Sequence, residues 1–197
     1  MLPERLTTRR LLLRKFQRRD ASAIVEAVRA SLPELQRWLP WPHPGYGRED
    51  ALAFIRESHQ AWREGRAYDF AIRHLDRPER HLGNISIWYT SKTQRVGEIG
   101  YWVRSDATSG GIATEAAEAL LDQGFGVMRL HKITLRIAVG NRASERVAEK
   151  LGFVKEGILR QELQINGRWV DHTLYSLLEH EHALRPRSFP VPDRPID

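Results

Sequence analysis

The sequence predicts a single α/β domain built on a mixed sheet. Three observations lead there. Three strand-like segments follow one another in the middle of the chain, helical and β-branched segments alternate after them, and two long strand-like segments flank an Asn-Gly pair near the end. A length of 197 residues favours one domain, and a chain of that size buries about 70% of its unfolded surface. The domain is expected over residues 1–180, with a proline-rich, disordered tail over 181–197.

The first strand is expected within Thr8–Phe16, around Leu11–Leu13. Asp20 then fits as the N-cap of a helix over Ala21–Ala30. The run LPELQRWLPWPHPGYG reads as a short helix followed by a loop. Glu49–Glu64 reads as a helix with Leu52, Ile55 and His59 on one side and Phe54 and Trp62 flanking it. YDFAIRHL, LGNISIWYT and VGEIGYWVR are the three strands in series, separated by the turn-like DRPER and SKTQR. A helix is predicted from Ile112 to about Met128, a β-branched strand over KITLRIAV and a short helix over NRASERVAEKL. FVKEGILRQELQI and RWVDHTLYSLL form a hairpin about Asn166-Gly167. Pro186, Pro190, Pro192 and Pro195 interrupt any regular structure in the tail.

Composition narrows the chemistry. The chain has no cysteine, which removes disulfides, thiolate nucleophiles and Cys-based zinc sites and suits a reducing cytoplasm. No apolar run is long enough for a signal peptide or a membrane span. The net charge is +6 at pH 7, a surface that attracts anions: nucleic acid, acidic proteins or a phosphorylated cofactor. The cluster TRRLLLRKFQRRD reads as a nucleic-acid arm or, more ordinarily, as charges solvating the outer face of a strand. His180, Glu181 and His182 stand together beside the tail and read as surface residues; no metal is expected.

Gly110 and Gly111 stand between the strand ending near Arg104 and the helix beginning near Ile112. A helix start offers unpaired N–H groups and the positive end of the macrodipole, and glycine lets a ligand approach that backbone closely. Together these make an anion site suited to phosphate, although a flexible turn before a helix reads the same way. Neither a P-loop nor a G-x-G-x-x-G opening a helix after a strand is present. Asn141 falls where the following strand ends, with Ser144 one turn on; Asn141 serves equally as a helix N-cap.

The segments EIGYWV, GGIATEA, NRASERVAEKLGF, EGILRQ and NGRWVDHTLYS, in this order, resemble the GNAT acyltransferase superfamily, and more closely its RimJ/RimL-like branch, which acetylates amines. The resemblance covers roughly Leu6 to Leu178. It implies a mostly antiparallel central sheet, splayed in the middle and flanked by helices. It also implies acetyl-CoA as the acyl donor. Its pantetheine would pair with strand backbone at Trp102 and Val103, and its pyrophosphate would rest on Ser109, Gly110, Gly111, Ile112, Ala113 and Thr114, with Asn141 beside them. Two departures stand out. The family's Q/R-x-x-G-x-G loop places Asp106 at the Arg/Gln position and Ser109 at the first Gly, so binding falls to backbone amides. The family's frequent Tyr acid is replaced by Ala148, and the resemblance implies Ser144 as the acid.

The implied reaction moves an acetyl group directly to a primary amine. A carboxylate acting through water would take the amine proton, with Glu98 the first candidate and Glu162 the second; each also reads as an exposed or salt-bridged glutamate. Strand N–H groups near Val103 would stabilise the oxyanion. Trp38, Trp41 and Tyr46 either line an acceptor cleft for a peptide or small amine, or cap the core. The resemblance is compatible with a homodimer. A basic binding module for nucleic acid or a partner protein, lacking turnover, is the alternative that Asp106 keeps open.

Overall fold

The computed structural model describes Met1–Arg185; the expected disordered tail lies, from Pro186 on, outside the described residues. Strands β1 (Arg5–Thr7), β2 (Leu11–Lys15), β3 (Ala67–His74), β4 (Arg77–Ser91), β5 (Val96–Val103), β6 (Lys132–Ala138), β7 (Val154–Ile165) and β8 (Arg168–Leu178) form one sheet in the order β1-β2-β3-β4-β5-β6-β8-β7. Every neighbouring pair is antiparallel except β5 with β6.

That parallel pair is short. Val96, Gly97 and Glu98 face Lys132, Ile133 and Thr134, and no pairing continues beyond them. The sheet therefore forks after Glu98, leaving the rest of β5 without a strand partner on that side, as the expected splay requires.

Helices α1 (Ala21–Ala30), α2 (Leu32–Trp38) and α3 (Arg48–Arg63) precede β3, α4 (Ile112–Gly126) links β5 to β6, and α5 (Arg142–Lys150) links β6 to β7. The apolar side chains form two clusters. One gathers Leu13, Ile72, Ile85, Ile87, Leu120 and Ile133; the other gathers Phe16, Ile24, Val28, Ile55 and Trp102. Alternate residues of β5 supply opposite clusters, Ile99 the first and Trp102 the second, as period two demands. Asn166 and Gly167 both take positive φ, 49° and 76°, the signature of the tight turn that suits hairpin twist.

Three differences from the expected elements have physical causes. Residues 5–7 add an edge strand, β1, paired to β2. DRPER is mostly strand rather than turn: β4 starts at Arg77, and a register shift near Arg73 is stabilised by the buried Arg73 guanidinium, which donates to the carbonyls of Pro78 (2.8 Å) and Glu79 (2.6 Å). Finally, residues 181–184 belong to a helix, α6 (Glu179–Leu184), rather than to a tail. His182 bonds Asp122 at 3.0 Å and stacks on Phe125, and Arg185 donates to the buried Glu118 at 2.9 Å.

Candidate active site

The segment between β5 and α4 is held in shape from two sides. Gly111 is the N-cap of α4 with φ 77°, a left-handed conformation that favours glycine, and Ser109 takes φ 64° beside it. Glu115, in the first turn of α4 and 1% exposed, accepts from Thr8 Oγ1 (2.6 Å), the Arg10 N–H (2.9 Å) and Arg10 Nε (2.8 Å). Arg10 also donates to the Gly110 carbonyl at 2.9 Å. On the other side Asp106 accepts from Arg104 Nε at 2.6 Å and Arg80 Nη2 at 2.7 Å, while Arg104 also grips Glu26. The Arg104 hydrogen bond holds the Asp106 carboxyl below its usual pKa. The acidic residue in the loop is thus neutralised by arginines.

A cleft of about 500 Å³ opens beside this loop, between the forked end of β5 and α5. Ser109, Gly111 and the start of α4 line one end, and Ser144, Arg146 and Lys150 line the α5 side. Asn141 caps α5, its Oδ1 accepting from the Ser144 N–H at 3.3 Å, and also faces the cleft. The N–H groups of the first turn of α4 and two cations one helical turn apart make this cleft fit a phosphorylated ligand.

A second cleft, of about 490 Å³, lies on the opposite side of β5. Its floor is the β4–β5 pair, where Asn84 faces Trp102 and Ser86 faces Gly100. A Cβ on Gly100 would lie 3.0 Å from the Trp88 ring, so glycine is what lets the indole close over the strand. Trp41, Tyr46, Asp50 and Glu57 line the walls. Trp41 lies 6.1 Å from Trp102 and 5.7 Å from Tyr46, ring centre to ring centre. Burial pushes the Tyr46 phenol up to about 12. Asp50 accepts from the Gly47 N–H at 2.8 Å and lies 3.5 Å from His43. Asn84 is fixed from beneath: His81 Nε2 donates to its Oδ1 at 2.7 Å. Burial pushes His81 down to about 3, so the ring is neutral. Leu39, Tyr101 and Trp102 line both clefts and form the wall between them.

Residues 10–154 match the family model of the GNAT acetyltransferase domain. The chain belongs to the GNAT acetyltransferase family. An uncharacterised N-acetyltransferase of Bacillus subtilis (strain 168), YoaA, is 31% identical over 180 residues, 88% of this chain and 96% of that protein. The [ribosomal protein uS5]-alanine N-acetyltransferase of Escherichia coli (strain K12) is 28% identical over 181 residues, 88% of this chain and 90% of that protein. A solved structure of Mycobacterium smegmatis RimJ in complex with CoA-disulfide superposes with a TM-score of 0.81 at 30% identity, covering 90% of this chain and 88% of that one. These likenesses carry the acetyltransferase reading and lend nothing to the binding-module alternative.

Within this acetyltransferase, the expected donor residues Trp102, Val103, Ser109, Gly111, Ile112, Ala113, Thr114, Asn141 and Ser144 all line the first cleft. Gly110 does not line it; its carbonyl is turned to Arg10. The expected acceptor residues divide: Trp38 lines the donor cleft, Trp41 and Tyr46 the second. Glu98 and Glu162 line neither cleft. Glu98 sits at the fork, bonded by Arg136 Nε at 2.9 and 3.0 Å, and Glu162 takes the same guanidinium at 2.7 Å. Burial raises the Glu98 pKa, with Arg136 opposing. Trp88, directly opposite Glu98 on β4 and on the same face of the sheet, lines the second cleft. Both carboxylates share one guanidinium and neither is part of the cleft lining, while Glu98 lies on the face of β5 that carries Gly100 and Trp102. Arg146, Lys150, Glu57 and Tyr101 are not singled out by the sequence, which reads Glu115 only as favouring a helix start. Arg146 and Lys150 carry a signal, four residues apart with Val147 on a cleft-facing side; buried Glu115 carries none. Among the described residues no group of three or more His, Cys, Asp or Glu is placed to hold a metal, and no helix is long and apolar enough to cross a membrane.

Proposed function

We propose that this protein transfers an acetyl group from acetyl-CoA to the α-amine of a peptide or protein N-terminus. The observation that carries this reading is a pair of clefts of opposite character meeting at Tyr101 and Trp102. The donor cleft holds Arg146 and Lys150 against a single acid, Glu34. The acceptor cleft holds Asp50 and Glu57 and, among the described residues, no Lys or Arg. In a chain with net charge +6, that partition draws a polyanionic donor to one side and an ammonium to the other.

The first-turn amides of α4 take the pyrophosphate, and Arg146 and Lys150 lie where a further phosphate can be neutralised. The unpaired stretch of β5 offers its backbone to pantetheine as a strand would, and the Val103 region supplies N–H groups to the developing oxyanion. Glu57 faces the acceptor cleft without a hydrogen bond or ion pair among the described residues, whereas Asp50 is occupied by Gly47 and His43. Glu57 attracts the ammonium and takes its proton through water. Ser144, on the first turn of α5 whose backbone Asn141 caps, lines the donor cleft and donates its hydroxyl to the departing sulfur. Relatives named for acetylating ribosomal proteins support a protein N-terminus as acceptor.

The experiment follows free CoA release with peptides bearing a free or a blocked N-terminus, for the wild type and Ser144→Ala. Turnover is expected only on free termini, and Ser144→Ala is expected to lower kcat by roughly 10²-fold with cofactor affinity kept. Equal turnover on an N-blocked peptide through its lysines would refute the acceptor; wild-type kcat in Ser144→Ala would refute the acid.

A further inference from the structure

Tyr101 lies past the fork of the sheet and lines both clefts. Its hydroxyl oxygen is buried and makes no hydrogen bond of good geometry among the described residues. A buried phenol left unpaired is a cost that the fold alone does not explain, since such groups are almost always bonded. Ser144, which lines the same cleft, is its hydroxyl neighbour: burial pushes the phenol up to about 12, and hydrogen bonding from the Ser144 side chain opposes that rise. The phenol is therefore a neutral O–H donor throughout the working pH range. Ala148, one turn further along α5, is fully buried and offers no donor, so this pair is where α5 and β5 bring hydroxyls together at the donor cleft.

We propose that Tyr101 is a positioning residue for the leaving-group step: with the donor in place, its hydroxyl donates to Ser144 Oγ and turns the Ser144 O–H onto the departing sulfur. This rests on the reading of Ser144 as the group that meets the sulfur. In the step itself the N–C bond forms, the C–S bond breaks, and the electron pair of that bond goes to sulfur. One proton shed by the amine ends on the thiol, and both hydroxyls are unchanged at the close.

The test is a double-mutant cycle with Tyr101→Phe, Ser144→Ala and the combination, read as kcat, KM for acetyl-CoA, calorimetric affinity for CoA, and melting temperature without ligand. Tyr101→Phe is expected to lower kcat by roughly tenfold, the worth of one hydrogen bond in the transition state. KM and CoA affinity are expected to hold, and the ligand-free melting temperature to stay level or rise, since the lost hydroxyl is unpaired. In the Ser144→Ala background the Tyr101→Phe effect should vanish. Full kcat in Tyr101→Phe beside a slow Ser144→Ala overturns the pairing and leaves the acid reading intact. Losses that multiply in the double variant overturn it too, because the two hydroxyls would then act separately. A lower melting temperature in Tyr101→Phe would show the hydroxyl to be bonded within the fold, against the proposal. Full kcat in Ser144→Ala removes the reading on which the pairing stands.

Discussion

His81 ties the stability of this protein to pH. Its ring is 1% exposed, packed between Phe16 and Trp102, and it donates from Nε2 to Asn84 while Nδ1 has no partner. Burial, helped by the charge of Arg73, depresses its pKa from 6.5 to about 3. The sign follows from proton counting. As pH falls through 6.5 the unfolded chain takes up a proton at this site and the native state does not, so acid favours unfolding. At about pH 5 the unfolded state has gained roughly 1.5 units of advantage, or about 2 kcal/mol, which lowers Tm by roughly 4–8 °C in a domain of this size. Asp20, held below its usual pKa by Arg14 and the Gln17 N–H against the opposing effect of burial, loses its contribution only at lower pH, below its ordinary 3.8. The assay is urea unfolding of the wild type and His81→Gln at about pH 7.5 and about pH 5. Glutamine keeps an amide donor near Asn84 and carries no titratable proton. The wild type should lose about 2 kcal/mol more than the variant between the two conditions. Parallel losses in the two proteins would refute the assignment of a neutral, buried ring.

The other outcomes follow from backbone and helix geometry. Gly111→Val is expected to weaken CoA binding by tenfold or more, and Gly111→Asn by less, because φ 77° is strained for a branched residue and tolerated by asparagine; equal calorimetric affinities for the two variants would exclude the backbone cause. A chain ending at Arg185 should keep its Tm and activity, whereas one ending at His180 should lose about 1–3 kcal/mol of stability with the contacts of His182 to Asp122 and Arg185 to Glu118. Identical unfolding curves for the two truncations would show that α6 contributes nothing.

Much of this was readable from residue order. The period-two run of VGEIGYWVR gave both the strand and the alternation that sends Trp102 to one core and Ile99 to the other. The Asn-Gly turn, the glycines before α4 and the Asn141 cap depend on local backbone chemistry, which sequence carries directly. What was hidden depends on partners far along the chain. Glu115 looks like an ordinary first-turn acid until Thr8 and Arg10, more than a hundred residues away, are folded against it. Glu98 reads as a base or as a salt-bridged glutamate alike until Arg136 and Glu162 arrive from two other strands. The register shift near Arg73 could not be foreseen, because it depends on where a buried guanidinium finds carbonyls. The division of Trp38 from Trp41 depends on the turn of the chain after α2, and local periodicity says nothing of it.

The fork after Glu98 has a consequence for how the molecule holds together. The backbone ladder between its two halves is three residue pairs long. Within the first half β3, β4 and β5 follow one another closely, while β2 reaches β3 across α1, α2 and α3; joining the halves must close a parallel pair across the whole of α4. A ligand laid along the open edge of β5 occupies the place of the missing ladder. It would serve as a removable strand, tying together two halves otherwise joined by that short seam and by side-chain packing. The cleft that makes room for chemistry thus opens where the ladder between the two halves ends.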